Sequence, residues 1–303
     1  MRIVTYNFLR AGSLKRCGHW SRVIRNLKPD LILAQECRPP QSSPSERFRH
    51  GQHDALMWQS CGSRGWGSAV FARSASLAPI VIPDFDGWVV GGEIRNTSWS
   101  ERPLTVFSVH GPVGDRGYIR TMQDILDRVA SFRDRGDLIL GGDFNIAVGY
   151  RQPREPVRIL RGEREVLDRL TNEFGLTSCW QAANPNRPLA QTLRWMGNPQ
   201  APYHCDGIFV PHAWLSRLKS CRVVRGSRWR QLSDHNPVVA DFQFESGATD
   251  SLERNAALVV LQSQRRIDRG GAPRGDEACD QGDHEQHQRY SQICHRVGSR
   301  NAE

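Results

Sequence analysis

Leu138-Ile139-Leu140-Gly141-Gly142-Asp143-Phe144-Asn145 is the stretch on which the reading turns. Three large aliphatic residues in a row show no polar alternation, as expected of a strand buried on both faces. They run directly into two glycines and an Asp-x-Asn triplet. Alone, that triplet suits a tight turn whose Asp accepts backbone N–H groups. It suits equally the rim of a catalytic pocket. Other strands that end the same way tip the balance.

Working outward, Ile3-Val4-Thr5 is a short strand candidate that ends at Asn7. Trp20, Val23, Ile24 and Leu27 follow at helical spacing, and Pro29 stops that helix. Leu31-Ile32-Leu33-Ala34 is a second buried-type strand, finishing at Gln35-Glu36. Further strands are expected at 67–72, 79–82, 88–94 and 103–109, the last finishing at His110. Helices are expected over about 118–133 and 163–174. Asp206 precedes a strand at 208–210, and Asp234 with His235 precedes one at 237–242. Runs of consecutive strands between few helices exclude a simple doubly wound sheet. They favour mixed sheets packed face to face with helices outside.

After Phe244 the periodicity collapses into a polar stretch, read as mostly disordered with a short helix at 251–263. The expected organisation is a catalytic domain over 1–245 and a tail over 246–303. The tail's Cys279, His284, His287, Cys294 and His295 fit no zinc-finger spacing. The formal net charge is +9; the tail holds eight Arg against nine Asp and Glu, so −1, which leaves +10 on 1–245. A basic folded body favours polyanionic partners. Eight cysteines without a C-x-x-C pair read as reduced thiols of a cytoplasmic protein. No signal peptide and no membrane span are expected.

The polar groups at the strand ends form a coherent chemical set. Glu36, Asp234 and the Asn7 amide are hard oxygen donors of the kind Mg²⁺ or Mn²⁺ prefers. Phosphoryl transfer needs positioning, charge neutralisation and an aligned water. Asp143 would align and deprotonate that water, with Asn145 presenting its amide to the same space. His235 would donate a hydrogen bond to the phosphate while Asp206 orients its ring. Each has a plainer reading. Asn7 is a strand-end turn former, Glu36 a solvated edge, 233–237 a capped turn, and His110 a structural histidine. Their joint order along the chain is what the plainer readings do not explain.

In that order the sequence resembles the endonuclease/exonuclease/phosphatase superfamily. The resemblance is carried by Thr5-Tyr6-Asn7, Lys28-Pro29-Asp30-Leu31-Ile32-Leu33-Ala34-Gln35-Glu36 and Gly141-Gly142-Asp143-Phe144-Asn145. Cys205-Asp206-Gly207-Ile208-Phe209-Val210 and Ser233-Asp234-His235-Asn236-Pro237-Val238 complete it. It implies an α+β fold, a four-layered α/β/β/α sandwich of the DNase I-like kind. It implies Glu36 as principal metal ligand beside Asn7 and Asp234, Asp143 aligning water, and Asn145 holding phosphate. It also implies an Asp206–His235 pair, and His110 near the scissile phosphate. Cys37, the 38–53 loop and the tail depart from the family pattern and bear on substrate choice.

The superfamily acts on nucleic acids, nucleotides, inositol phosphates and sphingolipids, so the resemblance leaves the substrate open. The basic body supports nucleic acid. Trp58, Trp66 with Arg64, Trp99 with Arg102, Arg194-Trp195 and Arg228-Trp229-Arg230 would combine phosphate contacts with base stacking. Trp20 and Trp88 read as core. The alternatives are hydrolysis of a small or lipid phosphoester, and a non-catalytic nucleic-acid binder.

Overall fold

The computed structural model describes residues 1–10, 18–39, 54–95, 97, 99–112, 114, 117–151 and 158–244. Met1–Gln243 forms one compact unit; of a second, Phe244–Glu303, only Phe244 is described. The 38–53 loop beyond residue 39, the 251–263 helix and the tail cysteines and histidines lie outside the described residues.

Two six-stranded mixed sheets make up the unit. The first contains β1 (Arg2–Asn7), β2 (Leu31–Cys37), β3 (Ala55–Ser60) and β4 (Gly67–Ala72). The second contains β5 (Ser76–Ile80), β6 (Val89–Arg95), β7 (Leu104–His110), β8 (Asp137–Asp143), β9 (Leu176–Ser178) and β10 (Asp206–Pro211). Strands β11 (Leu218–Val223) and β12 (Val238–Phe242) then complete the first sheet, whose order is β11-β12-β1-β2-β4-β3. The second sheet runs β5-β6-β7-β8-β10-β9.

Helix α1 (His19–Leu27) covers the first sheet, burying Trp20, Val23 and Leu27 against Val4, Tyr6, Ile32, Ala34 and Phe71. Helices α2 (Gly117–Val129) and α3 (Arg161–Asp168) cover the second, burying Met122, Ile125, Leu126, Val166 and Leu167 against Phe107, Leu138, Leu140 and Phe209. The alternation of strands sends the intervening residues to the opposite faces, where the sheets meet. Gln35 bridges the two there, donating to Ser108 Oγ at 3.0 Å. At Gly141 a Cβ would lie 2.5 Å from Leu33 Cδ1, so the sheets approach too closely there for a side chain. The expected four-layered α+β sandwich is the one observed.

Register explains why the polar groups converge. β1 and β2 run parallel, with Asn7 opposite Gln35. β7 and β8 run parallel, with His110 opposite Asp143. β10 runs antiparallel to β8 and brings Asp206 opposite Asp143. The ends of four strands and the beginnings of two thus lie on one rim.

Glu36 reaches that rim only through an irregularity. Strict alternation would place it on the helix-covered face with Ile32 and Ala34. Instead the β2–β4 register slips between Ala34 and Cys37, and Glu36 takes φ 46°. The bulge turns its carboxylate towards Asn7.

Several boundaries differ from expectation. The expected strand at 79–82 is Ser76–Ile80, because Pro79 and Ile80 pair with β6 and Val81 faces solvent. The expected strand after Asp206 begins at Asp206 itself. The helix expected to run to 174 ends its regular part at Asp168 and continues as a π-helical turn over Arg169–Glu173. The helix expected to run to about 133 ends at Val129, followed by a 3-10 turn. No helix among the described residues is long and apolar enough to cross a membrane.

Candidate active site

Six of the eight residues singled out from sequence are buried polar or charged groups on the shared rim: Asn7, Glu36, His110, Asp143, Asp206 and His235 are at most 9% exposed, while Asn145 is half-buried. Asp234, also half-buried, is the eighth.

Asn7 joins the two halves of the site. Its amide donates to Glu36 Oε1 at 3.2 Å and to Asp143 Oδ2 at 3.0 Å. Its oxygen accepts the Leu9 N–H at 2.9 Å, so the amide faces the acids with its nitrogen. Asp143 also accepts the Asn145 backbone N–H at 3.0 Å. Asn145, held at φ 53°, spends one amide N–H on the Gly111 carbonyl at 2.9 Å.

His235 Nδ1 lies 2.9 and 3.0 Å from the two Asp206 oxygens, and its Nε2 lies 3.6 Å from Asp143 Oδ2. An Nδ1–H that donates to Asp206 aims Nε2 at Asp143. Burial opposes the imidazolium, but Asp206 and Asp143 outweigh it and hold the pKa well above the ordinary value. Burial raises the Asp143 carboxyl, partly offset by His235.

His110 behaves oppositely. Its Nε2 lies 3.6 Å from Glu36 Oε1 and 4.0 Å from Asp143 Oδ2, and its Nδ1 has no hydrogen-bond partner. Burial outweighs Asp143 and pushes its pKa down to about 4, so this ring is neutral near pH 7 and its contacts with the acids are not ion pairs. Its ring lies 5.0 Å from Trp88 and 6.0 Å from Trp66, centroid to centroid. Trp88, expected in the core, is half-buried; Trp20 is buried as expected.

Glu36 is raised to about 7 by burial, which its hydrogen bond from Asn7 and the nearby Arg10 only partly relieve. Carboxylates crowded behind little countercharge suit a hard divalent cation. A second possible ligand group, Asp143, Cys205, Asp206 and His235, places one donor atom of each within 4.8 Å of the others. In it, Asp206 and His235 are engaged with each other. Cys205 donates to Asp206 at 3.6 Å, and burial keeps its thiol well above the usual pKa. The Glu36 side therefore offers the better donors for an oxygen-seeking ion.

Sequence reasoning missed three supports. Ser233 donates to the Asn7 carbonyl at 2.8 Å and accepts the His235 N–H at 3.0 Å. Thr192 Oγ1 accepts the backbone N–H groups of Cys205 and Asp206 at 3.0 and 3.1 Å. Arg194 grips the closing turn. It donates to the Ser233 carbonyl, to Asn236 Oδ1 at 2.5 Å and to the His235 carbonyl at 3.2 Å. That use of Arg194 removes it from the expected phosphate-contacting surface. Trp66 and Trp229 leave the stacking surface too, since both are buried; Trp195 remains exposed. Only position-specific hydrogen bonding distinguishes these residues, and no spacing signals it.

The profile of the Endonuclease/Exonuclease/phosphatase family matches residues 16–235, most of the chain. The chain belongs to this family. As a family member it is a metal-dependent phosphoric ester hydrolase. No curated protein matches its sequence. Among solved structures, it is similar to the 3′ phosphatase NExo from Neisseria bound to a product DNA hairpin. That match has 20% identity and a TM-score of 0.62, covering 80% of this chain and 100% of the other. An AP endonuclease from Archaeoglobus fulgidus matches at 19% identity and TM-score 0.60, covering 80% and 100%. The catalytic domain of Xenopus laevis APE2 matches at 17% identity and TM-score 0.59, covering 80% and 91%. At these identities the likeness is one of fold.

Proposed function

We propose that the chain hydrolyses phosphodiester bonds in nucleic acid, using Mg²⁺ or Mn²⁺ held by Glu36 and Asp234 beside Asn7. The supporting observation is the junction at Asn7, whose single amide touches both Glu36 and Asp143 while His235 faces the same Asp143 oxygen from the other sheet. A body charge of +10 and solved structural neighbours that include a DNA-bound phosphatase favour a nucleic-acid substrate.

When bound, the divalent ion supplies Lewis acidity that offsets charge developing on the phosphate oxygens. Asp143 holds the attacking water and takes its proton. His235, charged and fixed by Asp206, donates from Nε2 to a non-bridging oxygen. Asn145, whose amide nitrogen also lies 3.5 Å from Asp143 Oδ2, would turn that second, long N–H contact to the same phosphate. His110 stays neutral and directs Nε2 into the pocket without adding charge. Asn7 holds Glu36 and Asp143 apart at a fixed spacing. Ligation through its oxygen would require the amide to turn over and release Leu9.

Cleavage of plasmid DNA, RNA, an abasic-site duplex and bis-p-nitrophenyl phosphate, each with Mg²⁺, Mn²⁺ or EDTA, tests this. Turnover of nucleic acid that EDTA abolishes is expected. Turnover confined to bis-p-nitrophenyl phosphate would overturn the substrate assignment, and binding without turnover in any metal would overturn the chemistry.

The catalytic domain is proposed to end near residue 245, in a protein that acts as a monomer in the reducing cytoplasm. The five described cysteines are free and buried, as that setting allows. Removing 246–303 should leave kcat/KM within about twofold and the melting temperature unchanged. An unfolded or inactive product would move the boundary.

A further inference from the structure

A cation with no carboxylate partner among the described residues stands near the catalytic pocket. Arg64 belongs to the one-turn 3-10 segment Gly62–Arg64 between β3 and β4. Its Cζ lies 5.8 Å from the Trp66 ring centroid and 5.3 Å from that of Trp88. The two indoles meet edge to face at 5.5 Å and both border His110. Adding the 5.3 Å step to Trp88 and the 5.0 Å step to His110 puts Arg64 Cζ no more than 10.3 Å from the His110 ring centre.

Arg10 reaches Trp66 as well, at 5.7 Å, but its Nε lies 3.5 Å from Glu36 Oε2. Arg2, Arg128, Arg169 and Arg222 are likewise paired with carboxylates. Arg64 has no carboxylate partner among the described residues. An arginine resting on apolar surface need be nothing more than packing. Here, however, no described carboxylate pairs with the charge, and it lies within reach of a phosphate-handling centre. A guanidinium held against indole rings keeps N–H groups for hydrogen bonds and matches phosphate geometry. Trp66 is only 8% exposed, so its ring serves as a shelf for the two arginines rather than as a surface for a base.

The scissile phosphate, on the reading above, lies among Glu36, Asp143, Asn145 and His235. Arg64 lies next to that group, its Cζ at most 10.3 Å from the His110 ring centre by way of Trp88. We propose that Arg64, held beside Trp66 and Trp88, binds the phosphate of the neighbouring nucleotide and so favours a polynucleotide over an isolated phosphodiester. This subsite rests on the phosphodiesterase reading and narrows its substrate.

The test combines Arg64→Gln with a single-stranded oligonucleotide carrying a neutral methylphosphonate in place of one flanking phosphate. Binding is read by fluorescence anisotropy in EDTA, and turnover with Mg²⁺. Arg64→Gln should weaken oligonucleotide binding about tenfold and lower the slope of log K against log[salt] by roughly 0.7, one contact on a single strand. The ratio of kcat/KM for oligonucleotide over bis-p-nitrophenyl phosphate should fall by a similar factor. Methylphosphonate at one flanking position should reproduce the loss in the wild type and add nothing further in the variant. Additive losses at every flanking position, or an unchanged substrate ratio, would overturn the proposal. Arg64-dependent binding without any turnover would instead reject the hydrolase reading and leave the subsite standing.

Discussion

Asp143→Asn should lower kcat by roughly 10³–10⁴, the upper range for loss of a general base, while the protein stays folded. Asn has the same shape, so the junction with Asn7 is not emptied. What changes is chemistry. One acceptor oxygen becomes an N–H₂ group that can take no proton from water. That group also faces donors already present, the Asn7 amide and His235 Nε2. Stability should change little, because a buried carboxylate whose pKa burial has raised is not a strong stabiliser. The comparison is single-turnover cleavage beside circular dichroism and thermal melting. Turnover within about tenfold of wild type would remove Asp143 from the base role assigned to it.

The second large effect belongs to the Asp206–His235 pair. Asp206→Asn should reduce kcat by about 10² near pH 8, and by much less near pH 6. In the wild type Asp206 and Asp143 together hold the imidazolium against burial, so the charged form persists through neutral pH. Without the Asp206 charge, burial acts with less opposition and the pKa falls. The sign follows: the charged donor is lost on raising the pH, and the variant loses it earlier. The alkaline limb of the pH–rate profile should therefore move to lower pH, with the acid limb nearly unmoved. A uniform loss at every pH would mean that Asp206 serves only to hold the ring in place. His235→Gln should flatten the same limb in either background, which ties the shift to this ring.

Much of this architecture was legible from residue types. β2, β7 and β8 are buried along nearly their whole length, and β2 and β8 carry the unbroken aliphatic runs Leu31–Ala34 and Leu138–Leu140 before the rim. Helices α1 and α2 each bury one stripe at helical spacing. β3 was not legible, because every residue in Ala55–Ser60 is half-buried and none is β-branched. β11 lies at a sheet edge, where Leu218–Val223 shows no consistent apolar face. β9 has three residues, too few for any periodicity.

The site divides in the same way. Residues that end buried strands stand out, because a carboxylate after an aliphatic run is conspicuous. Ser233, Thr192 and Arg194 do not, since they act through backbone groups whose partners are set only by the folded chain. The paired Arg–Trp steps were read as a stacking surface. The fold spends Trp229 against Tyr6 and Arg194 on the closing turn, because both neighbourhoods are buried.

The kink at Glu36 has a bearing on attempts to rebuild this centre elsewhere. A host sheet with unbroken pleating could carry all eight side chains and still aim one carboxylate at the wrong layer, since Glu36 faces Asn7 only through its left-handed backbone and slipped pairing with β4. Transplanting the chemistry therefore means transplanting a defect in strand geometry. A library that varies residues on a regular scaffold would never sample it.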